Sequence, residues 1–320
     1  DNTPDGVVTS LTIILNTGGC RWARAGGCTM CGYVAESVEG GSVTHDALMD
    51  QIEVCLEHEA ENVGTSETPP ADGEAVDAEE RAGLIKIYTS GSFLDEREVG
   101  AETRAAIAET FADRDRIVVE SLPDFVDREK LADFTDVGLS TDVAIGLETA
   151  TDRVRHDCVN KYFDFADFEA ACAEVRDADV AAEGVDAGVK AYLLLKPPCL
   201  SESEAVDDMI DSVRRCAAVD GCHTVSMNPC NVQRYTMVDE LFFQGGYRPP
   251  WLWSVTAVLD ATADADAIVV SDPVGHGSDR GPHNCGECDE RVQTAIKDFD
   301  RRQDPSVFDQ VDCECESTWE

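Results

Sequence analysis

The sequence predicts an α/β fold in which a parallel sheet forms an open, partial (β/α)6 barrel, followed by a small cysteine-rich extension. Short apolar segments typical of buried strands alternate with segments of helical periodicity along most of the chain. Six such strand–helix units are two fewer than a closed eight-fold barrel contains. Polar residues follow the strands, at the edge where chemistry gathers in sheets of this kind.

The six predicted strands are runs rich in Val, Ile and Leu. They cover Ser10–Leu15, Leu84–Tyr88, Ile117–Ser121, Val143–Glu148, Val189–Leu195 and Thr224–Met227. Helical patterns lie at Thr44–Glu61, Ala101–Ala112, Arg128–Phe134, Phe165–Ala178 and Glu202–Ala218. Residues 63–83 are acidic and aperiodic and contain two prolines, so we interpret them as a surface insertion. We expect a barrel over residues 1–235 and a C-terminal extension over residues 236–320.

The composition is strongly acidic. The chain has 65 Asp and Glu against 25 Lys and Arg, a net charge of −40. An even spread of carboxylates with few lysines is typical of a halophilic archaeon's cytoplasmic proteins, in which salt screens the repulsion. Such a charge normally argues against nucleic-acid binding, although a local basic groove can persist within it. Fourteen cysteines, with no signal-peptide pattern and no long apolar span, predict a reducing cytoplasm and no membrane association.

The most informative stretch is the glycine-flanked loop that follows the first strand. Its cysteines, Cys20, Cys28 and Cys31, have the spacing C-x7-C-x2-C. Three thiolates on a 4Fe-4S cluster leave one iron without a protein ligand, which gives a reactive open position. Zinc and a redox pair are the alternatives for a C-x2-C pair. Zinc normally requires further ligands nearby, and a redox pair would not need Cys20.

Polar residues at the other strand ends predict a binding surface beside that loop. They are Thr89, Ser90, Gly91, Ser92, Glu120, Glu148, Lys196 and Asn228. Each alone could be a strand cap or turn former. Because the carboxyl ends of parallel strands meet at one edge of the sheet, their number favours a shared site.

A second group of cysteines lies near the end of the sequence. It comprises Cys285, Cys288, Cys313 and Cys315, and a helical segment, Asp289–Arg302, separates the two pairs. Four soft ligands in two chelating pairs predict a closed structural zinc site. A second iron–sulfur cluster is the alternative, because four cysteines also satisfy it.

Together these features resemble the radical S-adenosylmethionine (SAM) superfamily, over roughly the first 230 positions. The resemblance implies that the three N-terminal cysteines bind a 4Fe-4S cluster and that SAM binds its open iron. It also implies that the Thr89–Ser92 turn binds the methionyl amine and that Glu148 is the polar residue of the fourth strand. The chain departs from the common pattern in three places: the long cysteine spacing, Ser90-Gly91-Ser92 in place of paired glycines and an acid, and Met30 in place of an aromatic residue.

The sequence is most similar to the archaeosine-biosynthesis branch of that superfamily. Three segments carry the similarity: Thr17–Arg21, Gly27–Tyr33 and Pro282–Asp289. The resemblance implies a tRNA substrate, in which archaeosine synthase has placed a lysine adduct on a 7-deazaguanine of the D-loop. The chain would then cleave the lysine C–N bond to leave archaeosine, with a reductant supplying electrons.

Arginines and one tyrosine are the candidates for tRNA contact. They are Arg21, Arg24, Arg234, Tyr235, Arg248, Arg301 and Arg302. The arginines could equally pair with the abundant carboxylates. Two other interpretations remain open at this point. One is another tRNA-modifying radical SAM enzyme, a methylthiotransferase or an elongator-like protein, and the other is a non-catalytic, zinc-bearing RNA-binding protein.

Overall fold

A computed structural model describes residues 1–38, 42–62, 82–181 and 184–319. Its centre is a seven-stranded parallel sheet whose strands follow one another in chain order. A small antiparallel hairpin, β1 (Asn2–Thr3) and β2 (Gly6–Val7), precedes the sheet. The sheet contains β3 (Ser10–Ile14), β4 (Leu84–Tyr88), β5 (Arg116–Ser121), β6 (Ser140–Glu148), β7 (Ala187–Leu195), β8 (Cys222–Pro229) and β9 (Ile268–Ser271).

Helices follow most of these strands along the chain. Among the described residues they are α1 (Arg21–Ala25), α2 (His45–Asn62), α3 (Ala101–Thr110), α4 (Arg128–Thr135), α5 (Asp152–Val154), α6 (Phe165–Ala181), α7 (Glu202–Ala217), α8 (Met237–Phe243), α9 (Leu252–Ala261), α10 (Asp289–Arg302) and α11 (Glu316–Trp319). Shorter 3-10 helices lie at Tyr33–Glu36, Pro123–Phe125 and Pro305–Gln310, and a π-helix at Arg155–Val159. Several begin at side-chain caps; at α7, for example, Ser201 and Glu204 form a capping box.

The two faces of the sheet differ in chemistry because side chains alternate along each strand. One face carries Ile85, Ile117 and Val143, which are fully buried in the main core beneath the helices. The inward face is largely polar. On that face the hydroxyls of Tyr88 and Tyr192, from β4 and β7, lie 2.7 Å apart. Contact between side chains from strands so far apart in the sheet requires strong curvature, which is the shape of a partial barrel.

The predicted partial barrel is confirmed, and all six predicted strands are present with small differences at their ends. The sheet also has a seventh strand, β9, which pairs with β8 and comes from the region predicted as an extension. This strand was not predicted, because it is only four residues long and lies between polar segments. Most of the predicted surface insertion falls outside the described residues. No helix among the described residues is both long and apolar enough to cross a membrane.

Candidate active site and metal centre

The cysteine loop, residues 17–33, lies at the carboxyl ends of β3 and β4. The backbone N–H of Cys20 donates to the carbonyl of Ser90, 3.0 Å away, so the first cysteine rests on the turn after β4. A Cβ on Gly91 would lie 2.0 Å from Glu98 Oε1 and 2.8 Å from the Cys20 nitrogen. Only glycine therefore allows this turn to approach the loop so closely.

Glu98 joins the cysteine loop to the turn after β4. The Thr17 hydroxyl donates to Glu98 Oε2 at 2.7 Å, and the Ser92 N–H donates to Oε1 at 2.9 Å. Burial raises the pKa of this carboxyl, and these hydrogen bonds partly oppose that effect. Glu98 was not predicted, because it lies several residues beyond the turn and nothing in the sequence distinguishes it from the other acidic residues.

Residues Arg155–Asn160, here called the clasp, hold the loop from the opposite side. The Thr29 N–H donates to the Val159 carbonyl at 2.9 Å, and Asn160 Nδ2 donates to the Gly27 carbonyl at 2.6 Å. Trp22 Nε1 donates back to the Asn160 carbonyl at 2.7 Å. Asn160 has a positive φ of 59°, a conformation that asparagine tolerates better than most residues. The clasp thus fixes the loop on both sides of Cys28.

The loop thiols sit in a low-dielectric environment. Burial raises the pKa of Cys28 to about 12, and the ammonium of Lys161 opposes that rise. Burial also raises the pKa of Cys31. The three thiols do not all lie within 4.8 Å of one another. One tetrahedral ion with bonds of about 2.3 Å would bring its sulfur ligands to about 3.8 Å from one another, an arrangement that these three thiols do not all share.

Glu148 and Lys161 form a buried ion pair next to these thiols. Lys161 Nζ lies 2.6 Å from Glu148 Oε1 and also donates to the Gly146 carbonyl. Burial lowers the pKa of Lys161, but Glu148 and the nearby thiols together hold it above its ordinary value. Glu148 has a positive φ of 70°, which turns the end of β6 toward the loop. Glu148 was predicted from its position at a strand end, whereas Lys161 follows the clasp and was missed.

Glu120 lies on the inward face, one residue before the end of β5. Burial raises the pKa of its carboxyl to about 8; the N–H of Thr89 and the charge of Lys161 act in the opposite direction. A carboxyl with this pKa is neutral near pH 7 and can donate a hydrogen bond. Glu120, Glu148 and Lys161 therefore give this edge of the barrel both a proton donor and a fixed ion pair.

The other predicted strand-end residues mostly bind protein groups. Thr89 Oγ1 accepts from the Gly91 N–H at 3.1 Å, and Ser92 Oγ accepts from the Leu122 N–H at 3.0 Å. Lys196 pairs with Glu202 at 2.6 Å. Asn228 Nδ2 donates to the carbonyls of Leu193 and Ser226, at 3.4 and 3.2 Å.

The predicted tRNA contacts divide into two groups. Arg21 pairs with Asp95 at 3.0 Å, Arg24 donates to the Gly18 carbonyl, and Arg248 donates to the carbonyls of Pro249 and His283. These three side chains have partners within the fold. Arg234 and Tyr235, by contrast, are exposed beside the cysteine loop. Arg301 and Arg302 lie in the last turn of α10, where Arg301 is 3.8 Å from Asp298.

The four C-terminal cysteines converge on one point. Their thiols all lie within 4.8 Å of one another, with Sγ–Sγ distances of 3.9 Å (Cys285–Cys288), 3.7 Å (Cys285–Cys313) and 3.7 Å (Cys288–Cys315). These values match the edge of about 3.8 Å expected for a tetrahedral ion with sulfur ligands at 2.3 Å. Side-chain N–H groups of Asn284 and Trp253 each lie 3.3 Å from a sulfur. Such donors stabilise thiolates and orient metal ligands.

Two curated relatives are similar to the chain over most of their length, and both are named archaeosine synthase subunit beta. One, from Methanosarcina acetivorans, is 38% identical over 317 residues, which cover 97% of this chain and 84% of the relative. The other, from Thermococcus kodakarensis, is 36% identical over 331 residues, covering 100% and 93%. No protein-family model matches the chain.

The solved structure of Elp3 from Methanocaldococcus infernus is similar in fold. Its TM-score is 0.55 at 12% sequence identity, and the match covers 93% of this chain and 64% of that one. At this identity the similarity concerns the fold alone. It agrees with the curved parallel sheet described above.

Proposed function

The chain belongs to the archaeosine synthase subunit beta (RaSEA) family, and from this premise we propose that it is a radical SAM lyase of tRNA modification. Its substrate would be a 7-deazaguanine–lysine adduct in the tRNA D-loop, and its product archaeosine. The name of the relatives supports a second subunit, the lysine-transferring archaeosine synthase, as its partner. The observation that carries the proposal is the three-cysteine loop held at the carboxyl edge of the partial barrel, between the turn after β4 and the clasp.

The residues present fit a 4Fe-4S cluster with SAM. Cys20, Cys28 and Cys31 would hold the cluster, and the turn Thr89–Ser92 would lie against it. When bound, these groups supply the electron and the adenosyl radical that abstracts hydrogen from the lysine-derived carbon. The chain's own residues do the rest. Glu98 and the clasp fix the loop, and the Glu148–Lys161 pair presents a defined charge beside it.

The curved sheet and the neutral Glu120 suit the remainder of the reaction. Glu120 can donate a proton or hydrogen bond to a polar substrate atom while adding no charge near the ion pair. The curved sheet shields the inward face from bulk water, which protects a radical reaction from side reactions. We propose that four residues at the strand ends have positioning roles in this reaction: Glu120, Glu148, Lys196 and Asn228.

We further propose that the four C-terminal cysteines bind zinc. The Sγ–Sγ distances of 3.7–3.9 Å support one tetrahedral ion rather than a second cluster. A closed four-thiolate site leaves no position for substrate, so its role would be structural.

The proposed function is tested by product analysis. Anaerobically reconstituted protein, supplied with SAM, a strong reductant and lysine-adduct tRNA, should form 5′-deoxyadenosine and archaeosine in step. Cys28→Ala should abolish both products, while Cys55→Ala, a change at a cysteine of α2 outside the loop, should abolish neither. Archaeosine formation by the Cys28→Ala variant at the wild-type rate would refute the assignment.

A further inference from the structure

Large exposed side chains lie at the end of the cysteine loop and along the segment, residues 235–243, that hydrogen-bonds to it. We call Tyr33, Tyr235, Met237 and Phe243 the aromatic ledge; their exposed fractions are 52%, 87%, 49% and 75%. Side chains of this size rarely remain so exposed together unless a surface has a function. Three of the four side chains are aromatic. The guanidinium of Arg280 lies over the Phe243 ring, 5.7 Å from its centre.

The ledge is joined directly to the loop that carries the cysteines. The Gly32 N–H donates to Gln233 Oε1 at 2.5 Å, and the Val238 N–H donates to the Thr29 carbonyl at 3.2 Å. These contacts lie on either side of Cys31. A Cβ on Gly32 would be only 3.0 Å from the Arg234 carbonyl, so the two segments are in van der Waals contact. The segment that carries most of the ledge therefore lies directly against the part of the loop that contains Cys31.

Tyr235 has a strained backbone conformation that no packing of its side chain offsets. Its φ is +65°, a region that large side chains rarely adopt, yet its ring packs against almost nothing. The backbone is fixed by a hydrogen bond from the Tyr235 N–H to Asp239 Oδ2 at 2.9 Å, and Arg280 anchors the other oxygen of Asp239 at 2.7 Å. Strain without compensating burial, beside a reactive site, is characteristic of residues kept for function.

We propose that the aromatic ledge stacks an unpaired nucleotide base of the RNA that flanks the substrate nucleotide. This inference rests on the proposed function. Every base has an apolar face that stacks on an exposed ring. The exposed guanidinium of Arg234 lies next to Tyr235, where it can reach the adjoining phosphate.

The charge of the molecule favours stacking as the mode of contact. With a net charge of −40, the chain as a whole repels a polyanion, so contacts to phosphate alone would bind weakly. Stacking does not release counterions and is therefore insensitive to salt. A base held on the ledge would also keep the neighbouring nucleotide unstacked, which a reaction inside the barrel requires.

The inference is tested by removing the Tyr235 ring with a substitution that tolerates the same backbone conformation. Tyr235→Asn removes the ring but tolerates a positive φ, and Tyr235→Phe keeps the ring. Using the reconstituted enzyme and lysine-adduct tRNA, we expect Tyr235→Asn to weaken binding by about 5- to 150-fold, the range measured for a lost base stack. Tyr235→Phe should bind like the wild type. The slope of log Kd against log salt should be the same in all three proteins, since no phosphate contact is lost.

Further readouts separate the possible failures. SAM cleavage measured without RNA should be unchanged in Tyr235→Asn. A 2-aminopurine base placed beside the adduct should be quenched on binding to the wild type and not on binding to Tyr235→Asn. If Tyr235→Asn binds the RNA as the wild type does, the inference is wrong. If that variant instead loses its association with the partner subunit, the ledge is a protein-binding surface. If the wild type neither binds nor cleaves adduct tRNA, the proposed function itself fails.

Discussion

At the scale of single residues, the structure distinguishes carboxyls that look alike in sequence. Glu120 and Glu148 both lie at strand ends, and both were predicted as site residues on that ground. Glu148 has a cationic partner in Lys161 at 2.6 Å, whereas burial leaves the Glu120 carboxyl with a pKa of about 8. Sequence could place the two acids at one edge of the sheet. It could not supply Lys161, because this lysine is brought there by the clasp and not by a strand.

The raised pKa of Glu120 predicts a pH-dependent stability. An unfolded glutamic acid ionises near pH 4.5, so between pH 7 and 9 only the folded state releases its proton. The free energy of unfolding should therefore fall as pH rises, by about 1.4 kcal/mol over this interval. Glu120→Gln, which mimics the neutral acid, should lack this contribution. Urea denaturation of the reduced protein at both pH values measures the difference between wild type and variant.

Other groups also titrate in this range, so the comparison is made variant against wild type at each pH. Glu109→Gln, at an exposed carboxyl of α3, serves as the matched control and should follow the wild type. Parallel pH profiles for wild type and Glu120→Gln would show that the carboxyl is already ionised at pH 7.

At the scale of elements, the clasp and the turn after β4 decide where the cysteine loop sits. Apolar runs allowed six of the seven strands to be predicted, because burial between helices leaves a clear signal in sequence. The two-residue strands of the hairpin, the four-residue β9 and the π-helix of the clasp are too short for periodicity to reveal. The glycine signal at Gly91 was read as a binding turn, and the structure adds the close approach to Glu98 that requires it.

Loosening the clasp should make the loop release its cluster more readily. Asn160→Gly retains the positive φ but removes the hydrogen bond from Nδ2 to the Gly27 carbonyl. Loss of one such bond, about 1 kcal/mol, should increase iron release about five-fold. A ferrous chelator added to the reconstituted, reduced protein gives the rate.

Asn160→Asp provides a second variant at the same position, since it also tolerates the backbone but lacks the N–H donor. It should resemble Asn160→Gly. Release at the wild-type rate from both variants would show that the clasp does not restrain the loop.

The C-terminal thiols should carry one zinc ion that stabilises the tail. Cys313→Ser should lose the zinc and lower the Tm while leaving the N-terminal iron in place, because the two sites share no ligand. Cys55→Ser, at a cysteine that is half-buried like Cys313, is the control. Metal analysis of anaerobically purified protein should give about four irons and one zinc per chain; about eight irons would replace zinc with a second cluster.

At the scale of the whole molecule, the fold and the acidic surface could be predicted from the sequence, but the position of the exposed rings could not. Length and the alternation of strands and helices predicted the partial barrel. Composition predicted the acidic surface but could not show that the exposed rings of the ledge lie beside the thiols, since that depends on how residues 233–238 fold back onto the loop.

A net charge of −40 should make stability depend on salt. Repulsion among carboxylates destabilises the compact state, and the Debye length falls from about 10 Å at 0.1 M to about 3 Å at 1 M. Raising KCl over this interval should therefore increase the Tm by several degrees, as scanning calorimetry can measure. Sucrose of equal osmolality carries no charge and should not reproduce the same rise. A Tm that is constant in KCl would mean that local ion pairs already neutralise the repulsion.

The seven strands are joined in a single row from β3 to β9, and β3 and β9 do not pair with each other. Ile14, at the end of β3, is accordingly 72% exposed. A closed barrel could be entered only from one end, so the reacting group would have to be a free end of its molecule. A sheet whose two edge strands are unpaired can admit a group from the side. That group can remain attached at both ends to a long polymer, which then lies along the opening.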